Sequence, residues 1–358
     1  MTSRDDLFSG VKPVEERHRI DEVRLARWME ETVQGYAGPL EVHQFKGGQS
    51  NPTYRLDTPG KRYVLRRKPF GKLLPSAHAV DREFRVISAL HSQGFPAPKP
   101  HALCADDTVI GSMFYVMDMV AGRIFWDGAL PTLSNAERRA IYEAEIRTLA
   151  QLHTYDPVAI GLGDFGKPGN YFARQIDRWS KQYRASETGQ NEAMERLMEF
   201  LPRTVPEQER VSVVHGDFRL DNMIFAADAP QVRAVLDWEL STLGDPLADF
   251  TYFLMLWEMP PSQGTAGSSG IKGLDLKALD IPTIEEAVAL YCSLTGRKGL
   301  PSLDWYLAYN MFRIAAILQG IAGRVRDGTA ASAAAVQAVS RIGPLSDAAW
   351  SFAKKAGA

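Results

Sequence analysis

Residues 213–222 read VVHGDFRLDN, and the fold is decided by how this stretch is read. A short apolar strand, Val211–Val214, runs straight into a polar turn that carries His215, Asp217 and Asn222. Apolar Met223–Phe225 follows at once, and a second short strand, Ala234–Leu236, delivers Asp237 in the sequence LDWE. Moving a phosphoryl group requires a carboxylate to orient the attacking hydroxyl, together with oxygen ligands that hold Mg²⁺ against nucleotide phosphates. A histidine, an aspartate two residues on, an asparagine five beyond that and a second aspartate after a hairpin supply those groups in a workable order.

Working outward towards the N-terminus, Asp21–Val33 has apolar residues at helical spacing. Leu40–Phe45, Thr53–Leu56 and Tyr63–Arg66 read as strands separated by turn residues. His78–His91 is helical and ends at Gly94, where FPAPKP forces an extended exit. Val109–Gly111 and Met113–Val120 read as two more strands. The expectation is a small antiparallel sheet with one helix packed on it. From Ser134 the composition turns helical. Ser134 and Glu137 form a capping-box signature ahead of a helix over Ala136–His153. Further helices are expected over Tyr171–Tyr183, Asn191–Leu201, Phe250–Trp257, Trp305–Gly323 and Thr329–Arg341, with a mobile Pro/Gly/Ser-rich loop over Met259–Gly273. The expected fold class is α+β and bilobal, with a small antiparallel-sheet lobe over residues 1–119 and a larger, mainly helical lobe over 120–358.

Composition sets limits on the function. In 358 residues, 41 Lys and Arg stand against 43 Asp and Glu, a net charge of −2, so no global field draws the chain to nucleic acid or to an anionic membrane. An anionic ligand must therefore be held by a local site. Cys104 and Cys292 form no CxxC-type pair and read as small buried residues in a reducing compartment. No apolar run approaches the ~18 residues that span a bilayer, and the first twenty residues lack a signal-peptide core. A cytoplasmic protein is expected.

HxDxxxxN followed by an acidic turn matches the catalytic loop and metal-binding turn of the protein-kinase fold. HGDFRLDN with LDWE resembles the aminoglycoside phosphotransferase family of kinase-like enzymes, as do YVLRRKP (63–69), LPSAHAVDREFRVI (74–87), YVMDMVAGR (115–123) and GNYFARQIDRW (169–179). These segments are similar above all to the phosphotransferase domain joined to acyl-CoA dehydrogenases in some eukaryotic proteins. The resemblance covers roughly Val42 to Phe253. It implies a protein-kinase-like fold with ATP and Mg²⁺ as cofactors, residues 1–119 as the nucleotide-binding lobe, residues 120–358 as the catalytic and substrate-binding lobe, and ATP in the cleft between them. Asp217 becomes the base, His215 a brace of the catalytic loop, and Asn222 and Asp237 the Mg²⁺ ligands. The position of the family's phosphate-anchoring lysine holds Arg66, a departure that a guanidinium can accommodate by bidentate pairing. Lys68, two residues on and on the same strand face, is the alternative. Glu83 would orient this cation. KGGQSN implies a phosphate-covering turn in which Gly47 and Gly48 permit close approach and Ser50 or Asn51 donates. Met117–Met119 would be the hinge whose backbone reads adenine.

Each motif also has a plain structural reading. Gly-Gly most often marks a hairpin, Arg66 and Lys68 can be solvated strand residues, and Asp245 and Asp249 are expected to cap and brace the following helix. Glu239 is placed to assist the metal indirectly or to serve structure alone. The loops expected to meet the acceptor, KPGNYFARQIDRW and MPPSQGTAGSSGIKG, are neutral or basic with aromatic residues. That favours an anionic or amphipathic hydroxyl compound, such as a hydroxyacyl thioester, over a polycationic aminoglycoside. Two other readings stay open at this stage: a non-catalytic nucleotide-binding module, suggested by Arg66, and a phosphohydrolase using His215, Asp217 and Asp237 as metal ligands.

Overall fold

The structure, a computed structural model, describes residues 10–46, 51–70, 79–261, 269–328 and 338–358. Gly47, Gly48 and Ser50 of the expected phosphate-covering turn lie outside the described residues, as do 262–268 of the expected loop and most of the helix expected over Thr329–Arg341. The chain groups into two compact units, one of residues 1–126, 160–162 and 222–241 and the other of 127–159, 163–221 and 242–358.

In the first unit, six strands form an antiparallel sheet in the order β1-β2-β3-β4-β6-β5. They are β1 (Val11–Lys12), β2 (Glu41–Phe45), β3 (Thr53–Asp57), β4 (Arg62–Arg67), β5 (Pro100–Cys104) and β6 (Phe114–Asp118). Alternation along β4 sorts its side chains. Tyr63 and Leu65 enter a core with Tyr54, Leu56 and Val116, closed by Leu25 and Met29 of helix α1 (Glu22–Thr32). Arg67 shares that face, fully buried, with its Nε donating to Tyr54 Oη at 3.0 Å. Arg66 is thereby turned to the opposite face, where helix α2 (Val80–Ser92) contributes Glu83.

The strand expected over Val109–Gly111 is not formed, and the partner of β6 is β5. Residues 107–110 instead make one helical turn. Asp106 caps it by accepting from Thr108 N at 2.8 Å, and Gly111 ends it at φ +86°. Local capping and a left-handed glycine outweigh the β-propensity of Thr, Val and Ile here. The extended exit after Gly94 leads into β5 at Pro100.

The second unit is mainly helical: α3 (Asn135–Thr154), α4 (Tyr171–Ala185), α5 (Glu192–Arg203), α6 (Leu247–Glu258), α7 (Ile284–Thr295), α8 (Leu303–Arg326) and α9 (Ile342–Lys355). The capping box of Ser134 and Glu137 is formed as expected. The sequence reading passed over α7, although Thr283 and Glu286 make a second capping box, and over α9. Among the described residues no helix is long and apolar enough to cross a membrane.

Candidate active site

The HGD turn belongs to the second unit. It leaves β7 (Ser212–Val214), which pairs antiparallel with β10 (Thr242–Gly244) in the register Val214–Thr242. Gly216 sits at φ +88°, a backbone conformation that a side chain resists, so glycine is required at the bend. Asp249, in the first turn of α6, accepts from His215 N at 2.5 Å and from Gly216 N at 2.8 Å. Of the two aspartates expected to cap and brace α6, only Asp245 does so, accepting from Leu247 N at 2.9 Å. Asp249 braces the turn instead. His215 is fully buried, and its Nδ1 accepts from Asp217 N at 3.2 Å. Arg313 of α8 donates to the Gly216 carbonyl at 2.5 Å.

Both oxygens of Asp217 are oriented. Tyr252 Oη donates to Oδ1 at 2.7 Å and Arg219 Nε to Oδ2 at 3.1 Å, while Arg219 Nη1 pairs with Asp221 at 3.1 Å. Burial works to raise the Asp217 carboxyl. The Arg219 guanidinium, the Tyr252 hydroxyl and the charge of Arg313 outweigh it and hold the group below its ordinary value. Asp217 is therefore ionised throughout the physiological range, with lone pairs left to accept from a hydroxyl.

The remaining acidic groups belong to the first unit. Asn222 and Asp237 flank the hairpin of β8 (Met223–Phe225) and β9 (Val232–Val235), whose register sets Met223 opposite Val235. Leu236 N donates to Asn222 O at 2.8 Å, so the hairpin brings the asparagine beside the LDWE turn. Asp237 adopts φ +65°, ψ +60°, a left-handed conformation that aspartate tolerates better than most residues. The turn is pinned by Trp238, which is buried against Phe95 and donates from Nε1 to Val235 O at 2.9 Å.

Arg66 is the centre of this cluster. Its Nη2 lies 2.7 Å from Asp237 Oδ1 and 3.3 Å from Glu239 Oε2. Its Nε lies 2.8 Å from Glu83 Oε2, an ion-pair contact without the alignment of a hydrogen bond. Glu83 is held in turn by Asn51 Nδ2 at 2.9 Å and Tyr115 Oη at 3.1 Å. Asn51, expected as a phosphate donor, thus spends a side-chain N–H on Glu83. Lys68 is turned elsewhere, 3.6 Å from Asp81. Met117 lies in β6, and the Met119 N–H is committed to Arg62 O at 3.2 Å. The spacing of the motifs did not reveal Tyr115, Arg219, Tyr252 or Arg313 as members of these networks. Two of them were visible within quoted segments, Arg219 in HGDFRLDN and Tyr115 at the head of YVMDMVAGR.

One cation facing three carboxylates leaves this cluster with excess negative charge. Burial, with Asp237 and Glu239 nearby, pushes the Glu83 carboxyl up to about 7 despite Arg66, while the same carboxylates raise Arg66 further. Glu83 binds its proton more tightly in the folded chain than in the unfolded one. Its contribution to stability is therefore full below about 4.5 and declines as the pH rises towards about 7. Glu83→Gln is expected to flatten that decline, which amounts to about 3 kcal/mol at most. Urea midpoints of the ligand-free chain at pH 5 and pH 8 provide the measurement. An equal pH dependence in the variant would assign the slope to other groups, such as Asp245, which burial raises to about 6.

Among the described residues no three His, Cys, Asp or Glu side chains are grouped to hold a metal by themselves. Asn222 and the partly exposed Asp237 instead offer oxygen donors that fit a hard cation sharing its shell with phosphate and water. The Nδ1 of His215 faces the Asp217 amide, an arrangement for bracing and not for ligation.

A kinase-like fold with a small antiparallel sheet, a helical second lobe and an HGD turn defines a small-molecule phosphotransferase. The chain belongs to the phosphotransferase enzyme family, whose model matches residues 41–273. It is 51% identical to a Ralstonia eutropha protein of known structure, provisionally described as an aminoglycoside phosphotransferase, with a TM-score of 0.86 over 94% of this chain and 99% of that one. It is 44% identical to acyl-CoA dehydrogenase family member 10 of Mus musculus and 40% identical to family member 11 of Gallus gallus, in each case over 97% of this chain. It spans only 32% and 45% of the length of those two curated relatives. The fold is shared more distantly with spectinomycin phosphotransferase, solved with ADP and spectinomycin, at 11% identity and a TM-score of 0.60 over 93% of this chain and 98% of that one.

Proposed function

We propose that the chain transfers the γ-phosphoryl group of ATP, with Mg²⁺, to a hydroxyl of a small anionic molecule such as a hydroxyacyl thioester. The observation that carries this reading is Asp217, a carboxylate kept ionised with both oxygens oriented and its backbone braced by His215 and Asp249. Such a group accepts the hydroxyl proton as the oxygen attacks. Residues 1–119 would hold the nucleotide, with Arg66 on its phosphates and Glu83 orienting Arg66. Residues 120–358 would supply catalysis and acceptor binding. Asn222 and Asp237 would hold the metal, and Glu239 would share Arg66 with Asp237. Mg²⁺ when bound supplies charge neutralisation on the phosphate oxygens. Nucleotide use is supported by the ADP in the distant spectinomycin phosphotransferase, and a thioester acceptor by the names of the acyl-CoA dehydrogenase relatives.

The test is incubation with ATP labelled in the γ-phosphoryl group, with and without Mg²⁺, against hydroxyacyl thioesters, hydroxy acids and aminoglycosides, read by mass spectrometry. A labelled phosphate ester formed only with Mg²⁺ supports the reading, whereas ATP loss to water with no ester in any class would overturn it.

Arg66→Ala and Lys68→Ala are expected to differ. A charge-assisted contact to phosphate contributes about 1.5–3 kcal/mol, roughly 10- to 150-fold in affinity. Arg66→Ala should lose that in ATP binding, while Lys68→Ala, which gives up only its contact with Asp81, should stay within about twofold. The reverse order in a nucleotide titration would make Lys68 the phosphate anchor.

A further inference from the structure

Arg313 is a buried cation with unusual company. It is 7% exposed, and it spends one N–H on the neutral Gly216 carbonyl. Its guanidinium carbon lies 5.3 Å over the Tyr252 ring and 5.9 Å over the Trp179 ring. Arg178 of α4 lies over the same indole at 5.0 Å. Among the described residues neither arginine forms a salt bridge with a carboxylate. Their neighbours on α4 do, Lys181 with Asp177 at 2.8 Å and Arg184 with Glu195. Asp217 is close enough to Arg313 for their charges to interact, but its own oxygens already accept from Tyr252 and Arg219. Charged side chains this deeply buried are normally paired. An anion placed against Arg313 supplies the missing partner, and Arg178, whose guanidinium lies over the same indole, adds a second positive charge to that neighbourhood.

We propose that Arg178, Trp179 and Arg313 form the recognition site for an anionic group of the acceptor, a carboxylate or a phosphate. This rests on the reading of Asp217 as the base. Arg313 contacts the residue before Asp217, and Tyr252 touches both Arg313 and Asp217, so an anion held here leaves the rest of the acceptor within reach of the carboxylate. Arginine suits the task because its planar fork takes carboxylate or phosphate bidentately while its face stacks on an indole. The site discriminates against polycationic acceptors by charge alone.

The experiment is calorimetric titration of the full chain with 3-hydroxybutyrate, 3-hydroxybutyryl-CoA and the uncharged methyl 3-hydroxybutyrate, repeated with Arg178→Glu and Arg313→Met. Arg178 is exposed, so Arg178→Glu keeps the fold even where Arg313→Met does not. The expected result is a loss of at least tenfold in affinity for an anionic probe in Arg178→Glu, with the methyl ester unaffected. Loss confined to 3-hydroxybutyrate identifies a carboxylate as the ligand, and loss confined to the CoA thioester identifies phosphate. No binding of either anionic probe, or equal losses for charged and uncharged probes, would overturn the assignment. Binding is read without turnover, so the outcome is independent of whether Asp217 is the base. That is decided by phosphoryl transfer in Asp217→Asn.

Discussion

Asp217→Asn is expected to lower phosphoryl transfer by roughly 10²–10⁴-fold, the usual contribution of a positioned general base, while the fold and ATP affinity persist. The geometry makes this substitution a clean one. Tyr252 Oη can still donate to the amide oxygen, and Arg219, deprived of one carboxylate oxygen, keeps Asp221 at 3.1 Å. His215 Nδ1 accepts from the backbone N–H of residue 217, which the change leaves in place. Only the proton-accepting oxygen and its charge are lost. The loss should therefore fall on kcat, with nucleotide titrations superimposing on those of the parent. Transfer within a few-fold of the parent rate would remove Asp217 from the role of base.

The second large effect is expected at Asp237. Asp237→Asn should weaken Mg²⁺-dependent ATP binding by at least the roughly 10–100-fold that loss of a metal's outer-shell partner costs, because here the proposed ligand itself is neutralised. Asparagine is a better probe than alanine at φ +65°, since it tolerates the left-handed region and alanine adds about 1–2 kcal/mol of backbone strain. The change also takes the charge from the 2.7 Å partner of Arg66, which keeps Glu83 and Glu239. Isothermal titration with ATP in the presence and absence of Mg²⁺ separates the two consequences. A lost Mg²⁺ dependence marks the metal, whereas a uniform shift in both conditions marks Arg66 alone. Unchanged binding in both would leave the LDWE turn a structural one.

The order of motifs along the chain was enough to define the class of protein. HGD and LDWE lie behind a β-rich segment with a helix that carries Glu83, and each motif records a local requirement: a glycine where φ is positive, a capping serine before a helix, an alternating strand that turns one arginine away from the core. The strand expected at Val109–Gly111 failed for a reason also written locally, the Asp106 cap and the Gly111 stop, which compete with the β-propensity between them. Helix α7 could have been found from its capping box.

The sequence by itself determined that Asp217, Asn222 and Asp237 sit on turns between short strands, because a strand running into a polar cluster is a property of neighbours along the chain. It left the choice between Arg66 and Lys68 open, since both lie on one face of an extended segment. Tertiary structure alone decided that Arg66 faces Glu83, Asp237 and Glu239 while Lys68 faces Asp81. It alone decided that Asp249 braces the HGD turn and that Tyr252 and Arg313 reach that turn from helices far along the chain. The physical reason is that such contacts satisfy buried charges and N–H groups across as many as 173 residues of separation. No periodicity encodes a partner at that distance, and only the packing of the elements brings it within reach.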